Sequence, residues 1–218
     1  MKKVIIFDLD GTLLDTLDDL RLSVNFALSQ FDYPLRTREQ VRKDIGNGVA
    51  KLIERSIPAG ILNENYQKCL DIFSAHYREN YTENTVPYTG MNDLCKKLLK
   101  EGYKITVATN KIVDVAKHLL DLNYPGLFDY IQGDAPNIKK KPHPMMIDTI
   151  VEHYNVTKDE VLYIGDTNVD EETATNSNVD YALVTYGYRT IPEIKNTCRC
   201  TNLLNDAKEI YQYIKSFN

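Results

Sequence analysis

Four short apolar runs, rich in β-branched residues and unbroken by charge, recur along the chain: Val4-Ile5-Ile6-Phe7, Ile105-Thr106-Val107-Ala108, Val161-Leu162-Tyr163-Ile164 and Tyr181-Ala182-Leu183-Val184. A strand wetted on one face alternates polar and apolar residues, whereas a continuous run fits a strand buried on both. Helical patterns lie between the runs. Met91–Lys100 carries Leu94, Leu98 and Leu99 on one face and ends at Gly102, and 113–122, 144–154 and 206–217 read similarly. Strands alternating with helices predict an α/β fold, a doubly wound parallel sheet covered on both faces.

Residues 16–83 break this rhythm. Only helical stripes are legible there: Leu17, Leu20, Val24 and Leu28; then Val49, Leu52, Ile53 and Ile57, closed by Pro58; then Tyr66, Leu70, Phe73 and Tyr77. A chain of 218 residues suffices for one core domain with a small insertion. The expected organisation is a core over 1–15 and 84–218, with an all-helical domain over 16–83 inserted after the first strand. Extended sheet crossovers are the alternative.

Composition narrows the partners. Hydrophobic residues at 43% can fill a core, and a net charge of −5 argues against a basic nucleic-acid-binding face. Only four apolar residues separate the basic start Met1-Lys2-Lys3 from Asp8, too few for a signal peptide, and no run approaches membrane-spanning length. The expectation is a cytoplasmic protein acting on a small molecule, monomeric or homodimeric, with neither nucleic acid nor membrane as partner. Cys69, Cys95, Cys198 and Cys200 lack a zinc-ligand spacing and are expected to be reduced bystanders.

Four motifs carry chemistry. Asp8-Leu9-Asp10-Gly11-Thr12 follows the first run directly, at the carboxyl end of a strand, where open parallel sheets collect their ligands. Two carboxylates at this spacing suit a nucleophile beside a general acid/base, or a divalent metal site, or simply an acidic turn. Ala108-Thr109-Asn110 ends the second run. Its hydroxyl and amide can bond phosphate oxygens, or cap the following helix. In Lys139-Lys140-Lys141-Pro142-His143-Pro144 the proline restricts Lys141, which could serve as a point charge against phosphate; a solvated basic loop is the competing reading. Gly165-Asp166-Thr167-Asn168-Val169-Asp170 follows the third run. With Asp8, Asp166 and Asp170 could supply the hard oxygen ligands that Mg²⁺ prefers, or Asp166 could cap a helix with Asp170 near its positive end.

In this joint order the motifs resemble those of the haloacid dehalogenase-like superfamily: Asp-x-Asp-x-Thr, Ser/Thr, Lys, then Gly-Asp-x-x-x-Asp. The resemblance spans essentially the whole chain. It implies a Rossmann-like core with a helical cap of the first type (C1), and a Mg²⁺-dependent phosphatase acting on a small phosphorylated metabolite. It further implies Asp8 as a nucleophile that becomes an aspartyl-phosphate and Asp10 as the general acid/base. Mg²⁺ would be held by the Asp8 carboxylate, the Asp10 carbonyl and Asp166, with Asp170 binding the ion or supporting what binds it. Thr109 and Lys141 would hold the transferring phosphoryl group, with Asn110 assisting.

Within that superfamily, Ile45-Gly46-Asn47-Gly48-Val49, followed by Leu52 and Arg55, resembles the cap loop of the phosphoglycolate phosphatase branch. Val86-Pro87-Tyr88-Thr89-Gly90, Thr109-Asn110-Lys111 and Thr185-Tyr186-Gly187-Tyr188 look similar to the same branch. The backbone amides of Gly46, Asn47 and Gly48 could meet a substrate carboxylate or hydroxyl, or the loop could be a plain helix–helix turn. After Asp170 the chain departs from the pattern: Glu171-Glu172-Thr173-Ala174 and Ser177-Asn178 replace a small apolar helix ending in Ala-Gly. The acidic pair is expected on the surface, and Asn178 is expected to tolerate the left-handed conformation glycine would take. The same motifs would also serve a β-phosphoglucomutase-like phosphosugar mutase, a pyrophosphatase or a nucleotidase. A non-catalytic regulatory relative would be expected to have lost an aspartate that is present here.

Overall fold

The computed structural model describes residues 1–217 and separates the chain into two units, Met1–Leu14 with Pro87–Asn218 and Asp15–Val86. The first is built on six parallel strands in the order β5-β4-β1-β6-β7-β8. These are β1 (Val4–Phe7), β4 (Lys104–Ile112), β5 (Ile131–Asp134), β6 (Val161–Gly165), β7 (Asp180–Val184) and β8 (Leu203–Leu204). Two further short strands, β2 (Leu14–Asp15) and β3 (Val86–Pro87), pair with each other.

β1 lies inside the sheet, as its unbroken apolar run requires, with all four residues buried. Val4 and Ile6 join Ala108 and Tyr163 of neighbouring strands, with Met146, Ile147 and Ile150 of α7 (Met145–Tyr154) and Ala174 of α8 (Asn168–Ser177), in one core. Ile5 and Phe7, which alternate to the opposite face, are equally buried, so the sheet is covered on both sides. The remaining helices of this unit are α5 (Met91–Lys100), α6 (Val113–Asn123), α9 (Ile191–Thr197) and α10 (Ala207–Lys215). This is the doubly wound α/β arrangement expected from the sequence.

The second unit is helical: α1 (Leu17–Ser29), α2 (Arg38–Asp44), α3 (Val49–Ser56) and α4 (Tyr66–Asn80). Leu17, Leu20, Val24 and Leu28 form the buried stripe of α1, while α4 buries Cys69, Phe73 and Tyr77. α2, absent from the sequence stripes, is held by a capping box between Thr37 and Gln40. Asp19 of α1 is buried and accepts hydrogen bonds from the amides of Asn84 and Thr85 and from the Thr85 hydroxyl, fixing the end of this unit to its beginning. Among the described residues no helix is long and apolar enough to cross a membrane.

Several local expectations are corrected. β4 runs on to Ile112, so Thr109 and Asn110 belong to the strand, and Ile112 occupies the capping position of α6. Thr167, not Asp166, caps α8. Glu171 is buried rather than on the surface: its carboxylate accepts the Arg199 amide at 2.9 Å and the Tyr181 hydroxyl at 2.8 Å. Two donors replace the water it lost. Glu172 is exposed, and Asn178 takes a left-handed φ of 55° at the end of α8. The edge strands β5 and β8 have no counterpart among the apolar runs.

Candidate active site

The register of the central strands assembles the site. Phe7 lies beside Val107 on one side and Ile164 on the other. Asp8, one residue beyond Phe7, and Thr109 and Asp166, two beyond Val107 and Ile164, therefore emerge along one edge of the sheet. Lys141 arrives there from the loop before α7. Its ammonium nitrogen stands 2.8 Å from Asp8 Oδ1 and 2.8 Å from Asp170 Oδ1, and donates to the Tyr163 hydroxyl at 2.9 Å. The Tyr163 hydroxyl in turn lies 2.7 Å from Asp170 Oδ1.

Asp170 is held from both ends. While Oδ1 faces Lys141 and Tyr163, Oδ2 accepts the Thr167 hydroxyl at 2.7 Å, the Thr167 amide at 3.0 Å and the Asp166 amide at 3.2 Å. This is the capping box that opens α8, placed at the end of a strand so that it also shapes the site. Asp166 differs. Its Oδ2 accepts the Tyr188 amide at 2.6 Å, but its Oδ1 is buried and has no hydrogen-bond partner among the described residues. A Cβ on Gly11 would come within 2.4 Å of Asp166 Oδ2, and one on Gly187 within 2.6 Å. Only glycine leaves room for that carboxylate.

One ligand oxygen from each of Asp8, Asp166 and Asp170 can be chosen so that all lie within 4.8 Å of one another. Three buried carboxylates cluster here, with the Lys141 ammonium on Asp8 and Asp170, and the electrostatics register the crowding. Burial pushes the Asp8 carboxyl up to about 7, aided by Asp170 and opposed by Lys141. Burial, then the charges of Asp170 and Asp8, hold Asp166 well above the carboxylate range. Asp170 goes the other way: burial would raise it, but Lys141 and the hydrogen bonds from Thr167 and Tyr163 lower it. Lys141 is raised above the ordinary lysine value because Asp170 and Asp8 outweigh its burial. The site thus has a carboxylate raised toward neutrality at 8, a saturated one at 170, and at 166 an oxygen with no hydrogen-bond donor among the described residues.

Asp10, two residues beyond Asp8, receives Lys111 on both oxygens, at 2.7 and 3.0 Å. The Thr109 hydroxyl is buried and accepts the Lys111 amide at 3.2 Å. Asn110 commits its amide to the Lys141 backbone, accepting from the N–H at 2.8 Å and donating to the carbonyl at 3.1 Å, which ties the lysine loop to β4. Gly46, Asn47 and Gly48 belong to the second unit. There the Asn47 side chain accepts from Arg55 at 2.8 Å, and Gly46 and Gly48 take φ of 132° and 83°. Tyr163, Thr167, Tyr188 and Lys111 had no assigned role in the sequence. Lys111 and Tyr188 answer carboxylates far along the chain, and Tyr163 of β6 meets Asp170 of α8 across a strand-to-helix turn that no single helix or strand period marks. The three-residue spacing of Thr167 to Asp170, by contrast, is a signal that could have revealed it.

Comparison with known proteins places the chain among relatives of one family. A sequence profile described as haloacid dehalogenase-like hydrolase matches residues 5–184. The phosphoglycolate phosphatase of Aquifex aeolicus is 32% identical over 188 residues, covering 85% of this chain and 86% of that protein. The phosphoglycolate phosphatase of Nitrosococcus oceani is 32% identical over 203 residues, covering 89% of each. Among solved structures, a predicted phosphoglycolate phosphatase from Haemophilus somnus 129pt matches with a TM-score of 0.90 at 27% identity, covering 98% of both chains.

Proposed function

The chain belongs to the haloacid dehalogenase-like hydrolase family, and on that premise we propose that it is a phosphatase for a small organic phosphate monoester, phosphoglycolate foremost, working through an aspartyl-phosphate at Asp8. The observation that carries this reading is the buried, unpartnered Asp166 Oδ1 close to the Asp8 carboxylate, with Lys141 on Asp8 as well.

The donor set fits a divalent cation. Asp8 and Asp166, with the Asp10 carbonyl, would hold it, and hard carboxylate and carbonyl oxygens select Mg²⁺. Asp170 would support rather than ligate, because both of its oxygens are already engaged. When bound, the ion neutralises negative charge on nucleophile and phosphoryl group.

The rest follows from the protein's own groups. A carboxylate attacking a phosphate dianion meets charge repulsion, and Lys141, next to Asp8 Oδ1, offsets it while the Thr109 hydroxyl donates to a phosphoryl oxygen. An Asp8 oxygen forms a bond to phosphorus as the bond to the leaving oxygen breaks. That oxygen keeps the electron pair and takes a proton from Asp10. A water molecule then attacks phosphorus, losing a proton to Asp10, and the acyl-phosphate bond breaks to regenerate the Asp8 carboxylate and inorganic phosphate. Tyr163 and Asn110 keep Lys141 in place between these steps.

A phosphate-release assay across phosphoglycolate, sugar phosphates, nucleotides and pyrophosphate tests the reading. Release from phosphoglycolate with Mg²⁺, suppressed by EDTA and abolished in Asp8→Asn, supports it. Undiminished release in EDTA or in the variant refutes it.

A further inference from the structure

We infer that Lys111 recognises an anionic group on the leaving side of the substrate and, by changing partner, frees the Asp10 carboxylate to face the leaving oxygen. The inference rests on the phosphatase reading above and adds a specificity-determining residue to it.

The geometry is a clamp. Lys111 Nζ reaches both carboxylate oxygens of Asp10, and the Lys111 side chain is only 6% exposed against 19% for Asp10. An ammonium so far removed from water requires an anion beside it. In the free protein that anion is Asp10. The Lys111 backbone is fixed in turn, since its amide donates to the Thr109 hydroxyl and the residue lies in β4.

With an ammonium on both oxygens, Asp10 has neither open to face a leaving oxygen. Proton transfer to that oxygen needs Lys111 to let go. In an in-line displacement the leaving oxygen lies opposite the attacking Asp8, and a general acid must face that oxygen. A lysine bonded to the general acid therefore stands beside the leaving group, not beside the phosphoryl oxygens that Lys141 serves. A compact anion carried there, such as a carboxylate one carbon from the ester oxygen, offers Lys111 an equivalent partner. The Asp10 oxygens are then open to the leaving oxygen in the first half of the reaction and to water in the second. A neutral leaving group leaves the clamp shut. Discrimination should thus show in kcat and not only in KM.

The test compares 2-phosphoglycolate with ethyl phosphate, a leaving group of similar size without the charge, in the wild type, Lys111→Met and Lys111→Arg, with circular dichroism and thermal melting confirming that each variant folds. The expected result is a wild-type preference for phosphoglycolate that falls about 10- to 100-fold in kcat/KM in Lys111→Met, the range commanded by one charge-assisted hydrogen bond. Part of that fall should lie in kcat, and Lys111→Arg should restore part of the preference. A folded Lys111→Met protein that keeps the wild-type preference overturns the inference while leaving the phosphatase intact. Equal losses on both substrates likewise overturn it. Wild-type protein that releases phosphate from neither substrate overturns the phosphatase reading, and the inference with it.

Discussion

Asp8 and Asp166 are the two residues whose states depend most on what shares the site with them. A carboxyl whose folded value is raised from 3.8 to about 7 stays protonated in the native protein where the unfolded chain has already ionised. Its contribution to stability is therefore lost as pH rises from about 4 to about 7. In metal-free protein, Asp8→Asn should raise the melting temperature relative to wild type above pH 7 and should not do so near pH 4. Protons compete with cations for such a carboxylate, so the stabilisation on adding Mg²⁺ should be larger at pH 8 than at pH 5.5. Equal Mg²⁺ shifts at both values would contradict the assignment. Tyr163 offers a test away from the reacting atoms. Tyr163→Phe removes the hydroxyl that receives Lys141 and meets Asp170, and should lower activity about 10- to 100-fold with Asp8 intact. Kinetics of the folded variant at saturating Mg²⁺ would check it.

The elements most visible in the sequence were those whose signal is local. β1, β6 and β7 are continuous apolar runs, and three of the four motifs follow such runs, so the edge that gathers Asp8, Thr109 and Asp166 is legible in the sequence. What escaped depends on distant partners. β5, Ile-Gln-Gly-Asp, is a partly buried edge strand with no apolar run, and β8 is two residues long. Glu171 looked like surface charge because one partner is a backbone amide 28 positions away. Lys111 answers a carboxylate 101 positions earlier, which no spacing rule reaches. Asp19 belongs to the same class: a charge inside the α1 stripe, buried only because Asn84 and Thr85 return to it. Asp19→Ala would strand three or more donors and should cost about 2–4 kcal/mol, measured by urea denaturation. A change within 0.5 kcal/mol would mean that those donors find other partners.

For the whole molecule, a net charge of −5 and an anionic substrate are compatible because charge is organised locally. Lys141 and Lys111 each stand on an aspartate, and under the proposed reading the remaining carboxylate oxygen at Asp166 would receive a cation. The proposed mechanism makes an Asp8 oxygen the atom that bonds to phosphorus. The direct measurement is acid quench of Mg²⁺-loaded protein during turnover of phosphoglycolate, followed by peptide mass spectrometry, with Asp10→Asn included to slow hydrolysis of the intermediate. One phosphoryl group is expected on the peptide bearing Asp8, labile to hydroxylamine, accumulating in Asp10→Asn and absent when EDTA is present. Inorganic phosphate released at the full rate with no phosphoryl group ever found at Asp8 would contradict it.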